Sequence, residues 1–249
     1  MIKAVTFDLW DTLVHDDSDE PKRKAQGLRS KYDERRHLLW EAIEAHQPIG
    51  KELVWRAYDV ADAAFNSVWH DQHVTWTIRH RLGIILKGLK IDLPAGALDS
   101  VVHAHERMEV DIPPNMVEGA SEALAALSKK YKLAIASDAI VTPGSALRDL
   151  LEQHGLLQYF CAFAFSDEVG RSKPHRAMFD HAAREMGVEL HEMAHVGDRE
   201  HNDIQGPRAL GIKTILFTAA RDRGSDHTQA DAVCRGFSEL PDIIDRLNG

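Results

Sequence analysis

Four groups of residues, three of them directly after a short apolar segment and one in a later loop, hold the side chains that could do chemistry. They are Asp8-Leu9-Trp10-Asp11-Thr12, Ser137-Asp138, Arg171-Ser172-Lys173-Pro174, and Gly197-Asp198 followed by Asp203. A carboxylate can act as a nucleophile, a lysine or a hydroxyl can stabilise developing negative charge, and paired acidic residues can bind a hard divalent cation. The four groups together therefore indicate attack by a carboxylate on an anionic substrate.

The apolar segments before these groups are typical of buried strands. Strands are predicted from Ile2 to Phe7 and over 132–136, 162–166, 195–197 and 213–217, with helices over 118–130, 144–154, 177–186 and 204–210. Strands that alternate with helices of this length predict an α/β fold, a doubly wound parallel sheet. Because ligands gather at the carboxyl ends of parallel strands, the polar groups are expected to meet at one edge of the sheet.

A long region between the first and second strands has a different pattern. Apolar residues recur at helical spacing at Leu38, Leu39, Ala42 and Ile43, and Pro48 and Gly50 are among the breaks. About four helices, packed as a bundle, are predicted here. We therefore expect a core domain of residues 1–14 and 112–249 and an inserted all-helical domain of residues 15–111. After Asp242 the last one or two turns are expected to be loosely held.

Composition excludes several classes of partner. The chain has 249 residues and a formal charge of −9, which argues against nucleic acid or an anionic membrane as the main partner. A small-molecule substrate, itself anionic, remains compatible if a cation receives it. With two cysteines and no recognisable signal or membrane segment, the expected location is the cytoplasm. The oligomeric state is expected to be a monomer or a homodimer.

The order of the polar groups resembles the haloacid dehalogenase superfamily of hydrolases. The matching positions are Asp8 with Thr12-Leu13, Ser137, Lys173-Pro174, and Gly197-Asp198 with Asp203; residues 113–137 also resemble that family's return from a helical cap to a Rossmann-like core. The resemblance implies that Asp8 is a nucleophile that forms an aspartyl intermediate. It also implies that Lys173 neutralises charge and that Ser137 donates a hydrogen bond to a phosphoryl oxygen. For the metal it implies Mg²⁺ bound by Asp8, the main-chain oxygen of Trp10 and Asp198, with Asp203 orienting the site from behind.

Trp10 departs from this family pattern. Phosphatases of the superfamily usually carry a second Asp two positions after the nucleophile, which protonates the leaving oxygen. An indole has no proton to exchange near neutral pH, so Trp10 cannot take this role. Asp11 stands where the family usually has glycine and is expected to point elsewhere. His201, between the acidic residues, is interpreted as a loop histidine.

Four functions remain open at this point. A Mg²⁺-dependent phosphatase of a small phosphorylated metabolite is compatible with Trp10 if the leaving group is stable or if a cap residue supplies the proton. A 2-haloacid dehalogenase needs no proton donor and has an aromatic residue at this position, but its last motif differs from Gly197-Asp198 with Asp203. A phosphonatase needs a cap lysine, and Lys22, Lys24, Lys31 and Lys51 have no recognisable context. A catalytically weakened phospholigand-binding protein is the fourth possibility.

The sequence favours the phosphatase. Substrate selection is expected to come from the helical cap, where Trp69, Trp76, Arg79 and His80 are candidates to face the site.

Overall fold

The computed structural model describes all residues from 1 to 249, and its centre is a parallel sheet of six strands. The spatial order of the strands is β3-β2-β1-β4-β5-β6. Their bounds are β1 Ala4–Phe7, β2 Lys132–Ser137, β3 Ala162–Phe165, β4 Met193–Gly197, β5 Lys213–Phe217 and β6 Ala232–Cys234. The predicted doubly wound parallel sheet is confirmed.

The register of the strands brings their carboxyl ends to one edge. Phe7 in β1 lies beside Ile135 in β2 and beside Val196 in β4. Asp8, Ser137 and Asp198 therefore leave adjacent strands within one or two residues of the same level. The four residues of β1 are completely buried, as expected for a strand that is covered on both faces.

Helices form the long segment between β1 and β2. They are α1 Glu20–Ala25, α2 Lys31–Glu44, α3 Lys51–Gln72, α4 Ile78–Leu89, α5 Ala95–Glu106 and α6 Met108–Asp111. We call α1 to α6 the helical insertion. Four of these helices have 12 or more residues, and their apolar faces enclose a core of their own that includes Leu39, Ile43, Val54, Tyr58 and Leu82. The insertion is all-helical, as predicted.

The remaining helices cover the two faces of the sheet. They are α7 Ala120–Leu127, α8 Gly144–Gln153, α9 Ser166–Val169, α10 Arg176–Met186, α11 Gly206–Ala209 and α12 Leu240–Leu247. Apolar residues of α7, α8 and α12 pack with Val5 and Phe7 on one face. Residues of α10, including Met178 and Phe179, pack with Ala4 on the other face. Layers on both faces protect the sheet from water.

Three local expectations were wrong. The end of the chain is ordered, because Ile243 and Ile244 of α12 are buried against the sheet. The short edge strand β6 was missed, since three residues are too few to show a periodicity. The helix expected over 204–210 begins earlier, as a π-helical turn over Glu200–Gln205 that continues into α11. No helix of the protein is both long and apolar enough to cross a membrane.

Candidate active site

Asp8 and Lys173 form a buried ion pair at the carboxyl edge of the sheet. The backbone N–H of Asp8 donates to the carbonyl oxygen of Val196 at 2.9 Å, so β4 fixes the start of the loop after β1. Lys173 Nζ lies 2.7 Å from Asp8 Oδ1, and both side chains are buried. Asp8 Oδ2 accepts no hydrogen bond from the protein. The lysine therefore orients one carboxylate oxygen, and the other has no partner in the protein.

Asp203 holds Lys173 from behind. Lys173 Nζ lies 2.6 Å from Asp203 Oδ1, and the backbone N–H of Arg199 donates to Asp203 Oδ2 at 2.9 Å. Burial opposes ionisation of both groups, but their mutual charge outweighs it, so the pKa of Asp203 is lowered and that of Lys173 is raised. The two groups stay ionised, and Lys173 remains a cation beside the Asp8 carboxylate.

His195 and Thr6 complete the support of this lysine. His195 Nε2 lies 3.1 Å from Asp203 Oδ1, and His195 Nδ1 lies 2.8 Å from Thr6 Oγ1. Burial lowers the pKa of His195 and outweighs the raising effect of Asp203, so the ring is neutral. A neutral ring that donates from Nε2 to the carboxylate must accept from the Thr6 hydroxyl at Nδ1. Sequence reasoning missed both residues, although a His and a Thr in the middle of buried strands are a usable signal.

Gly197 is needed because Asp203 packs directly against its backbone. A Cβ atom at Gly197 would lie 2.4 Å from Asp203 Cγ. Any side chain at position 197 would displace the carboxylate that holds Lys173. Glycine at position 197 is thus required for Asp203 to pack in its place.

Asp198 lies beside these residues and is paired with an arginine from a distant loop. Arg223 Nε lies 2.5 Å from Asp198 Oδ2, and Arg223 Nη2 lies 2.7 Å from Asp11 Oδ2. Asp198 Oδ1 is buried and has no hydrogen-bond partner. Burial, together with the charges of Asp8 and Asp203, raises the pKa of Asp198, and Arg223 opposes this rise. Sequence reasoning missed Arg223, because nothing in the chain near residue 223 indicates its partners.

Ser137 ends β2 with a buried hydroxyl that has no partner in the protein. Such a hydroxyl retains the capacity to donate to an incoming oxygen.

Trp10 lies at the cavity, and the carboxylate of Asp11 is engaged by other groups. Trp10 is half-buried, packs against the core of the sheet domain and lines the cavity in front of Asp8. Asp11 has a left-handed backbone conformation with φ 51°. Its carboxylate accepts from the backbone N–H of Asp16 at 3.0 Å and from Arg223, so it is occupied by other contacts.

Asp138 is a buried carboxyl in the same cavity that sequence reasoning left without a role. It follows Ser137, and Asp138 Oδ1 accepts from the backbone N–H of Lys173 at 2.9 Å. Asp138 Oδ2 accepts from Trp69 Nε1 of α3 at 3.2 Å. Burial is the main cause that raises the pKa of Asp138 to about 6, with Lys173 opposing it. This carboxyl can therefore hold and release a proton near neutral pH.

The cavity at this edge has a volume of about 220 Å³ and is lined in part by residues of the helical insertion. From the insertion and its ends come Lys31, Arg35, Trp69 and Glu109, and from the core come Asp8, Trp10, Asp138 and Lys173. Trp69 is the one residue of the four aromatic and basic candidates that lines the cavity. Trp76, Arg79 and His80 do not line it, and Arg79 Nη2 instead pairs with Asp99 at 2.6 Å.

Lys31 also lies in the cavity, where no sequence context indicated it. Lys31 Nζ is 2.8 Å from Asp19 Oδ1 and 3.4 Å from Glu109 Oε1. Burial would lower the pKa of Lys31, but Glu109 and Asp19 outweigh it and raise the pKa. Lys31 is therefore held as a cation between Asp19 and Glu109.

The acidic side chains fit a hard divalent cation. One carboxylate oxygen from each of Asp8, Asp198 and Asp203 lies within 4.8 Å of the others. Both oxygens of Asp203 already accept hydrogen bonds, whereas Asp8 Oδ2 and Asp198 Oδ1 have no partner. Mg²⁺ takes oxygen ligands and commonly uses one or two carboxylates, so the two free oxygens match its chemistry.

Comparison with known families agrees with this geometry. Residues 2–211 match the family model described as haloacid dehalogenase-like hydrolase. The chain belongs to the haloacid dehalogenase-like hydrolases. It is therefore a hydrolase with the family's Rossmann-like core and an inserted helical cap. The resemblance was based on five residues, and they lie together at one edge of the sheet: Asp8, Ser137, Lys173, Asp198 and Asp203.

Among named proteins, several relatives of this hydrolase are phosphatases. A glyceraldehyde 3-phosphate phosphatase of Methanopyrus kandleri is 27% identical over 251 residues, which cover 99% of this chain and 94% of the relative. The pyrimidine 5′-nucleotidase YjjG of Escherichia coli is 31% identical over 152 residues, covering 53% of this chain and 67% of that protein.

Solved structures of both chemical types share the fold. A phosphatase of this family from Thermococcus onnurineus superposes with a TM-score of 0.63 at 22% identity over 98% of both chains. A 2-haloacid dehalogenase from Pseudomonas syringae superposes with a TM-score of 0.65 at 22% identity over 99% of this chain and 100% of that one. At this level of identity the likeness establishes the fold alone.

Proposed function

We propose that the protein is a Mg²⁺-dependent phosphatase that acts on a small phosphorylated metabolite through an aspartyl-phosphate intermediate on Asp8. The observation that carries this proposal is the free, buried Asp198 Oδ1 in a cluster where Asp8, Asp198 and Asp203 each bring a carboxylate oxygen within 4.8 Å of the others. Three carboxylates of the site, those of Asp8, Asp198 and Asp203, face two cations, Lys173 and Arg223. A bound cation would offset the excess charge and reduce the repulsion of a phosphoryl group.

The same observation favours a phosphorylated substrate over a halogenated one. A haloacid carries its negative charge away from the carbon that is attacked, so a second free carboxylate beside the nucleophile gives no advantage there. The names of the relatives, with glyceraldehyde 3-phosphate phosphatase and a pyrimidine 5′-nucleotidase among them, support phosphate as the substrate class. The aromatic Trp10 is the feature that keeps the dehalogenase as a second candidate.

In the proposed reaction, the Asp8 carboxylate attacks phosphorus and the bond to the leaving oxygen breaks. Mg²⁺, when bound by Asp8, Asp198 and the main-chain oxygen of Trp10, would supply charge neutralisation and orient the phosphoryl group. Lys173 stabilises the nucleophile and the transferring oxygens, and the free Ser137 hydroxyl donates to one of them. Asp203 keeps Lys173 in place. Water then hydrolyses the aspartyl phosphate and regenerates Asp8.

Asp138 is proposed as the group that protonates the leaving oxygen in place of an acid at Trp10. It lines the cavity with Asp8, and its pKa is raised to about 6. A leaving alkoxide is stabilised by a proton transferred as the bond breaks. The deprotonated Asp138 can then accept a proton from the water that attacks the intermediate.

The insertion is proposed to act as a cap with boundaries at 14/15 and 111/112. Its residues Lys31, Arg35 and Trp69 close the cavity over Asp8, so they are in position to contact the part of the substrate that is not transferred. A volume of about 220 Å³ suits a metabolite with few carbon atoms.

The test is a panel of phosphorylated and halogenated compounds, assayed with and without Mg²⁺. Phosphate release should require the metal and disappear in Asp8→Asn, while Asp17→Asn, another carboxyl that lines the cavity, should retain activity. Robust phosphate release after chelation and in Asp8→Asn would refute the proposal. Halide release without metal would establish the dehalogenase. Tight binding of phosphorylated compounds without turnover would identify a binding protein.

A further inference from the structure

The loop between β5 and β6 carries an arginine that joins two carboxylates from separate parts of the chain. Arg223 contacts Asp198 through Nε and Asp11 through Nη2. Arg223 is not among the residues that line the substrate cavity. A guanidinium has its N–H donors in a fixed planar fork, and two carboxylates on different edges fix its orientation.

The contact with Arg223 occupies one carboxylate oxygen of Asp198 and leaves the other available to a metal ion. Its Oδ2 is held by Arg223, and its Oδ1 is buried without a partner. A carboxylate ligand binds metal with one oxygen while groups behind it hold the other, and these groups set the orientation of the ligand. Without Arg223, Asp198 would share a small buried space with Asp8 and Asp203 with no cation of its own.

Asp11 is the anchor of the arginine. Its backbone is left-handed with φ 51°, a conformation that favours glycine and that Asp tolerates better than most residues. In this conformation Asp11 Oδ2 reaches Arg223 at 2.7 Å, and Asp11 Oδ1 accepts from the backbone N–H of Asp16. The carboxylate therefore ties the loop after Asp8 to the loop after β5.

We propose that Arg223, anchored by Asp11, is a positioning residue that holds Asp198 for a divalent cation. The inference depends on the metal site of the proposed function and deepens it. It also explains why an acidic residue occupies position 11: the carboxylate acts on the metal ligand through Arg223 and takes no part in proton transfer. The residue that replaces the usual glycine thus supports the site.

The test measures cation binding to the protein without substrate. Mg²⁺ affinity is measured by calorimetry, and Mn²⁺ affinity by the electron paramagnetic resonance signal of the free ion. Arg223→Ala should raise the Kd for each ion by about 10-fold to 100-fold, the range found when groups behind a metal ligand are removed. Arg223→Lys should recover part of the loss. Arg221→Ala, an exposed arginine of the same loop, should bind the ions like the unaltered protein.

Asp11→Gly provides a second variant that keeps the backbone relaxed, because glycine adopts φ 51° without strain. It should weaken cation binding in the same direction, and the double variant with Arg223→Ala should bind no more weakly than Arg223→Ala alone. An unchanged Kd in Arg223→Ala would overturn the inference. A tighter Kd would also overturn it, because Arg223 would then compete with the cation. If the unaltered protein bound neither ion, the inference and the metal requirement would both fail; loss of phosphatase activity alone would affect only the proposed function.

Discussion

Replacing Asp138 by asparagine tests the proposed source of the proton most directly. The amide would keep the shape of the side chain and an oxygen that can accept from the backbone N–H of Lys173, but it cannot transfer a proton. General acid catalysis contributes about 10²-fold to 10⁴-fold, which is roughly 3 to 6 kcal/mol of barrier at 1.4 kcal/mol per decade. Alkyl phosphates should lose kcat by this amount. p-Nitrophenyl phosphate, whose leaving group is stable as an anion, should lose only a few fold.

The pH dependence of activity follows from the protonation state of Asp138. Asp138 must be protonated to act as the acid, and its pKa is raised to about 6 by burial. Activity on alkyl phosphates should therefore be greatest below pH 6 and fall as pH rises through this value, with about one-tenth of the acid protonated one unit above it. In Asp138→Asn this descending limb should disappear.

Two control variants separate proton transfer from structure. Trp69→Phe removes the hydrogen bond to Asp138 Oδ2 without removing the acid, and it should retain the dependence on leaving group of the unaltered protein. Asp16→Asn removes another cavity carboxyl whose pKa burial raises to about 6. An equal loss of kcat on both classes of phosphate in Asp138→Asn would refute the reasoning, as would a selective loss on alkyl phosphates in Asp16→Asn.

Three further outcomes are expected. Gly197→Ala should abolish turnover, because the alanine Cβ would lie 2.4 Å from Asp203 Cγ. Phosphate release measures the turnover, and the melting temperature measures the folding of the variant. A normal rate of phosphate release would contradict the packing argument. Ile244→Ala should lower the free energy of unfolding by about 2 to 5 kcal/mol, since the side chain is completely buried; a change under about 1 kcal/mol in urea unfolding would show that α12 is loosely held after all. Arg35→Ala should raise KM more than it lowers kcat, because Arg35 lines the cavity from the helical insertion and has no contact with Asp8 or Lys173. Arg79 does not line the cavity, so Arg79→Ala should leave both constants unchanged.

The sequence predicted the sheet well because buried parallel strands and amphipathic helices have strong local patterns. β5 was predicted over 213–217, as observed, and the helical insertion was recognised as all-helical. The sequence patterns did not predict α12 or β6, because both elements are short and are stabilised by packing on the sheet. Periodicity over so few residues cannot show that packing.

The strand ends of the site were predictable for the same reason. Asp8, Ser137 and Asp198 follow or end strands directly, so the order of the strands was enough to bring them to one edge. Residues whose role depends on a contact across the fold were not predictable. The role of Asp138 depends on its burial and on its hydrogen bond from Trp69 of the insertion. Lys31 lines the cavity only because the insertion packs next to the sheet edge.

The sequence by itself determined the family, the sheet and the presence of a candidate nucleophile, a lysine and acidic residues at its edge. Only the tertiary structure decided which oxygens of those acids are free. Asp203 is saturated by Lys173, His195 and Arg199, whereas Asp198 retains one free oxygen because Arg223 takes the other. Hydrogen bonds and charge depend on distances of a few ångströms between residues up to 212 positions apart, and no local pattern in the chain records such distances.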